Sequence, residues 1–225
     1  IKREGAVAPV ARMLSSSDTI RVLALMVDFQ QDTDTLTTGN GRFQMDGTAA
    51  ARLIDPPPHD SAYFAYKLVF LSNYFRKVSN GKVNLKGEVF GKTITLSKKM
   101  SAYSPPKDKS NDKPLADLVV ESWRTADSLY PAFQFSRYHA FIVFHAGAGR
   151  DIDLVGLLGF DPTPNDIPSI TFNLKTFQAY LKDPSYAGIP VSKGTFRITN
   201  TMVLPETESR PLRTGVGLDT LQLSI

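Results

Sequence analysis

An α/β fold is what this sequence predicts, on three observations. Residues 20–29 (IRVLALMVDF) and 141–144 (FIVF) are unbroken apolar runs of strand length, rich in branched and aromatic side chains, as strands buried on both faces require. Between them, Phe64, Leu68, Leu71, Phe75 and Val78 recur at spacings of four and three, which lays one apolar stripe along a helix. The second run empties into His145-Ala146-Gly147-Ala148-Gly149-Arg150-Asp151, so an imidazole, a guanidinium and a carboxylate sit where an α/β sheet tends to place its chemistry.

Taken in order, residues 1–19 read as an N-terminal arm, with serines at 15–17 and little periodicity. The strand at 20–29 ends on Gln30-Gln31-Asp32, and Asp28 stands near its end as an acid that can cap a neighbouring turn. After a polar, glycine-rich stretch, residues 60–78 form the strongest helix, which Asp60 or Ser61 can cap and Asn80-Gly81 can stop. Its aromatic residues, Tyr63, Phe64, Tyr66, Phe70, Tyr74 and Phe75, are expected to pack into the core. Residues 82–90 and 92–96 look like a hairpin turning at Gly91.

Residues 114–129 then make a second helix ended by Pro131, and the run at 141–144 returns to the sheet as in a βαβ unit. The prolines of 161–168 demand irregular chain, followed by a short strand at 170–172 and a short helix at 174–181. Residues 196–204 (FRITNTMVL) alternate as a half-exposed edge strand does, and 218–225 alternate again. No repeat or linker divides residues 20–225.

Composition removes several classes of function. With 42% hydrophobic residues in 225, the chain can build a real core and is not a disordered protein. Its net charge of +4 is spread along the chain apart from Lys98-Lys99 and residues 107–113, so solvated loops explain it and no nucleic-acid partner is expected. There is no cysteine, which excludes disulfides and thiolate zinc sites. No stretch approaches the roughly 20 apolar residues of a membrane span. The chain begins at Ile1 with no methionine and no apolar leader, as expected of a processed product.

The candidate site residues each carry two readings. His145, at the end of a buried strand, is either a structural histidine bonded to a loop carbonyl or a substrate or metal contact. His59 and His139 are not at helix spacing with it, and no His-Glu-x-x-His motif exists in the chain. Gly147, Gly149 and Arg150 suggest phosphate binding only superficially, because the third glycine and the P-loop lysine are missing. Asp151, Asp153, Asp161 and Asp166 crowd one flexible region and could hold calcium, or could cap helices and brace loops. Glu206 and Glu208, after Pro205, belong to a substrate-facing rim or to the solvated surface.

Four stretches in this order carry a family resemblance. They are residues 22–29; Asp55-Pro56-Pro57-Pro58-His59-Asp60-Ser61; residues 70–75 leading to Val78-Ser79-Asn80-Gly81; and Phe144-His145-Ala146-Gly147 with Gly149. Together they resemble the immune inhibitor A-type (M6-like) bacterial metallopeptidases over residues 22–206, most of the chain. The resemblance implies a zincin-like twisted mixed sheet packed by helices, with an edge strand bordering the substrate cleft. It also implies a zinc-bearing helix after that edge strand, and by position the edge strand is residues 196–204. No catalytic residue therefore lies in this chain, which reads as the N-terminal part of the domain, incomplete without the active-site helix.

In that reading the protein is secreted or held at a bacterial surface, and hydrolyses peptide bonds once a C-terminal fragment of the same precursor, bound non-covalently, supplies zinc. The expected substrate is a peptide or protein lying beside Thr199, Asn200 and Thr201 by strand addition, with His145, Gly147 and Arg150 shaping the end of the sheet. The alternative is a degenerate protease-like module kept for binding or surface assembly.

Overall fold

The computed structural model describes residues 19–47, 55–108, 111–213 and 220–223. The expected arm thus lies outside the described residues except for Thr19.

The chain folds as a mixed α/β structure. Its elements are β1 (Thr19–Asp28), α1 (Ser61–Val78), β2 (Asn84–Val89), β3 (Ile94–Thr95), α2 (Lys113–Leu129), β4 (Ala140–Ala148), α3 (Leu154–Leu158), β5 (Ile170–Phe172), α4 (Leu174–Leu181), β6 (Ile189–Val191), β7 (Phe196–Ile198), β8 (Thr201–Thr207), β9 (Arg210–Arg213) and β10 (Thr220–Leu223). The main sheet runs β2-β1-β4-β8-β5, with β3 pairing β1 beyond the end of β2. All of its pairings are parallel except that of β5 with β8. Two small antiparallel ribbons, β6 with β7 and β9 with β10, stand apart from it.

The two central strands have the sequences that such a position needs. From Leu23 to Val27, β1 is at most 4% exposed, and Phe141, Ile142 and Val143 of β4 are at most 2% exposed. Side chains of a strand alternate between faces, so Phe141 and Phe144 point opposite ways. Trp123 of α2 meets Phe141 edge-on at 5.3 Å between centroids, while Phe64 of α1 stacks on Phe144 at 4.5 Å. The two long helices therefore cover opposite faces of one sheet.

The helix α1 is capped as expected, with Asp60 Oδ1 accepting the backbone N–H groups of Ala62 and Tyr63 at 2.9 and 3.0 Å. It ends where Asn80 and Gly81 adopt positive φ and Gly81 N donates to Arg76 O at 2.7 Å. Only Phe64 and Leu68 of its stripe are buried. Contrary to the expectation of core packing, Tyr66, Phe70 and Tyr74 are mostly exposed. A helix laid on one face of a sheet buries one side, and this helix is aromatic on both.

The expected hairpin at 82–96 does not form. Its two strands instead line up parallel to β1 on one edge, one after the other, with Phe90 N donating to Ala24 O at 2.7 Å and Leu96 N to Asp28 O at 2.8 Å. Gly91 steps the chain past the end of β2 rather than reversing it. This arrangement satisfies the backbone of β1, which a self-paired hairpin would leave open.

The expected edge strand at 196–204 is also corrected. It breaks at Thr199 and Asn200 into β7, which pairs with β6, and β8, which lies inside the sheet between β4 and β5. The edge strand on that side is β5. Its register with β8 pairs Phe172 with Thr201 and Ile170 with Val203. Local alternation marked a strand correctly, but the partner came from residues thirty positions earlier.

Candidate functional site

Beside α1 the sheet is left partly open. The helix lies toward β2, with Gly87 meeting Leu68 so closely that an added Cβ would fall 2.6 Å from the leucine Cβ. On the same face, Met202 and Leu204 of β8 stay half-exposed, and α4 lies against the other helix, α2. The result is a cleft of about 550 Å³. Phe64, Lys67, Leu68, Phe70 and Leu71 form one wall, Ile142, Phe144 and Leu204 form an apolar floor, and Ser169, just before β5, closes the far side. Asp55, Tyr63, Glu206, Thr207 and Glu208 supply its polar end.

That polar end is a network drawn from distant segments. Glu206, 2% exposed, accepts Gln44 N and His59 Nδ1 on Oε1, both at 2.7 Å, and Gly147 N on Oε2 at 2.8 Å. The second ring nitrogen of His59 reaches Asp55 O at 3.2 Å. Both ring nitrogens can donate only in the imidazolium, so the geometry calls for protonated His59. Burial opposes that charge, yet the hydrogen bond and charge of Glu206, with Asp55 behind them, raise the His59 pKa above its ordinary value.

Asp55 works the other way. Burial favours its neutral form, but the hydroxyls of Tyr63 and Thr207 and the charges of Lys67 and His59 outweigh it and lower the pKa. Tyr63 donates to Asp55 Oδ2 at 2.6 Å and stacks on the His59 ring at 4.4 Å, with its own pKa pushed up by burial and by the carboxylate it serves. Lys67 Nζ lies 3.7 Å from Asp55 Oδ1 and 4.6 Å from the centre of the Tyr63 ring.

The residues singled out from the sequence fare differently. His145 is fully buried, within β4 rather than in a loop, with Nδ1 bonded to Ala146 O at 2.9 Å, and burial lowers its pKa. It does not line the cleft. Gly147 does meet the network through its N–H, and its φ of +89° with Thr38 O only 3.0 Å from a hypothetical Cβ explains the glycine. Arg150 donates to Pro105 O and Pro164 O at 3.1 and 2.8 Å, which makes it a staple between loops rather than an anion ligand. Thr199 and Asn200 lie between β7 and β8, and Thr201 is buried with its Oγ1 accepting from Trp123 Nε1 at 3.2 Å. Those three stand at the start of β8, about 16 Å along the strand from Glu206.

The four aspartates are not gathered. Asp151 accepts the N–H and hydroxyl of Ser169, Asp153 caps α3 through Gly156 N, Asp161 pairs with Lys107 at 3.1 Å, and Asp166 takes the N–H and hydroxyl of Thr38. Among the described residues no three His, Asp or Glu side chains come together to hold a metal ion. The four aspartates are thus not brought together as one calcium site, and the zinc that the resemblance implies is expected from a segment outside this chain.

Sequence reasoning gave Glu206 to a rim or the surface, and so missed the carboxylate at the centre of the network. One signal was available: Glu206 continues the apolar run Met202-Val203-Leu204-Pro205 without a turn, so its carboxylate had to enter the interior. No described helix is long and apolar enough to cross a membrane. Compared with known proteins, the chain matches no family model and no curated sequence.

Proposed function

We propose that this chain is the sheet-bearing part of a secreted bacterial peptidase-like domain resembling the immune inhibitor A type, which takes an extended peptide at the β5 edge. The observation that carries the reading is the half-covered sheet face beside α1, where Ile142, Phe144 and Leu204 floor an apolar cleft that ends in buried carboxylates. A mixed sheet with its one antiparallel strand at an edge suits strand addition, since an outer edge offers backbone groups to an incoming chain. The substrate edge in this proposal is β5 rather than Thr199, Asn200 and Thr201, and Ser169 links that edge to the cleft.

In this proposal the chain's own residues bind and orient. The apolar floor excludes water, the Glu206–His59 pair fixes the ends of β4 and β8, and polypeptide packed into the cleft contributes the hydrolytic centre. Zinc, when bound, would polarise the scissile carbonyl and activate water, held by ligands from outside the described residues.

One feature favours the non-catalytic alternative. Glu206 and His59 are saturated by protein partners, which suits a fixed wall better than a proton carrier. The deciding experiment measures zinc content and casein hydrolysis of the full gene product. Stoichiometric zinc with turnover upholds the enzyme, whereas a stably folded product with neither is a binding module.

A further inference from the structure

We infer that a pocket outside the carboxyl ends of β1 and β2 binds an apolar α-amino acid as its zwitterion. Open α/β sheets place ligands outside the carboxyl ends of their strands. The step at Gly91 makes room for one here, because the chain leaves β2 there before it rejoins the sheet as β3. The pocket measures about 360 Å³, within the range that small molecules fill. It shares no lining residue with the cleft beside α1, so it is a separate place.

One part of the lining is apolar. Met26 and Asp28 are two apart on β1 and share a face of the sheet, the α1 face, since Met26 stands beside Phe144 and Phe144 stacks on Phe64. With Met26, Phe43 and Phe90 also line the pocket, all three at most 8% exposed. Met45 lines it too but is 59% exposed, and so offers apolar surface that a bound side chain would cover.

The charges in the lining select the ligand. Arg42 and Lys92 stand against Asp28 and Asp60, two of each sign. They are not spent on one another. Arg42 commits only Nη1, to Asp28 Oδ2 at 2.8 Å and Thr95 Oγ1 at 3.0 Å, which leaves its other N–H donors for a ligand. Lys92 is exposed and takes no partner among the described residues. Asp60 uses Oδ1 alone to cap α1, and Asp28 Oδ1 is buried without a hydrogen bond. A lone carboxylate or phosphate would face both acids, and a lone amine both cations. A zwitterion matches the set, with its carboxylate toward Arg42 and Lys92 and its ammonium toward Asp60 and Asp28.

Titration calorimetry of the full chain with L-phenylalanine tests this directly, and saturable binding is expected. Phenylalaninamide, which lacks the carboxylate, and hydrocinnamate, which lacks the ammonium, are each expected to bind about tenfold more weakly or worse. Lys92→Met is expected to weaken L-phenylalanine about tenfold and to leave phenylalaninamide unchanged, with the same circular dichroism, because Lys92 is exposed. No saturation by about 10 mM, equal binding of either analogue, inorganic phosphate bound in place of the amino acid, or a Lys92→Met chain that binds as before would each overturn the proposal. None of these readouts depends on zinc or hydrolysis, so the peptidase-like reading stands or falls separately.

Discussion

Replacing Glu206 by glutamine tests the buried network with the least change of shape. The carboxylate accepts three N–H donors, from Gln44, His59 and Gly147. A glutamine side chain has one acceptor oxygen and one NH₂ group, so at least one of these donors meets another donor. Leaving a buried amide unsatisfied costs about 1–3 kcal/mol, and stripping a buried cation of its counter-charge costs about 3–5 kcal/mol when nothing replaces it. Relaxation and partial retention of the hydrogen bonds put the expected loss at about 3 kcal/mol. For a chain of this size that corresponds to roughly 6–12 °C in Tm. Trp123 is the only tryptophan and is fully buried, so its fluorescence follows urea unfolding without a label. The midpoint is expected to fall with an unchanged slope. A loss below about 1 kcal/mol would mean that Glu206 sits in water, and the description of the cleft's polar end would be refuted.

Other outcomes follow from the same geometry. The urea midpoint should decline on both sides of neutrality. The His59 contribution is complete below the ordinary imidazole value of 6.5 and fades as pH climbs through the raised pKa, while the Asp55 contribution holds above the ordinary carboxylate value of 3.8 and fades as pH falls through the lowered one. His59→Gln should erase the alkaline limb and keep the acid limb; an unchanged alkaline limb would remove His59 from the account. Gly147→Ala should cost about 2 kcal/mol, because alanine at a φ of +89° is strained and its Cβ meets Thr38 O, and a neutral result in the same titration would contradict that conformation. Gly87→Ala should push α1 off β2 and cost about 1–3 kcal/mol, visible as faster amide exchange in β2, since its Cβ would fall 2.6 Å from that of Leu68.

Some of this fold could be read from the sequence and some could not, for a physical reason. The helices at 60–78, 114–129 and 174–181 and the strand at 170–172 announced themselves through local period, caps and prolines, and they appear with ends within a residue of expectation. Period does not name a partner. Residues 84–95 alternate whether they pair with each other or with β1, and the backbone of β1 decided the matter. Likewise, residues 201–204 look half-exposed because one face of β8 is covered by Trp123 and the other borders the cleft, not because the strand lies at an edge. The site suffered the same limit. His145 drew the eye as a histidine beside glycines, yet it is buried, while Glu206 draws meaning only from Gln44, His59 and Gly147, which lie up to 162 positions away.

The meeting of those four segments constrains the order in which the chain can assemble. The carboxylate cannot find its donors until β4 and β8 lie side by side and the stretch before α1 has come back across them. Contacts between residues so far apart in sequence are the slowest to reward the chain for closing a loop. The joint at Glu206 is therefore one of the last to form, and weakening it by about 3 kcal/mol should quicken unfolding on the order of a hundredfold while leaving the refolding rate nearly untouched.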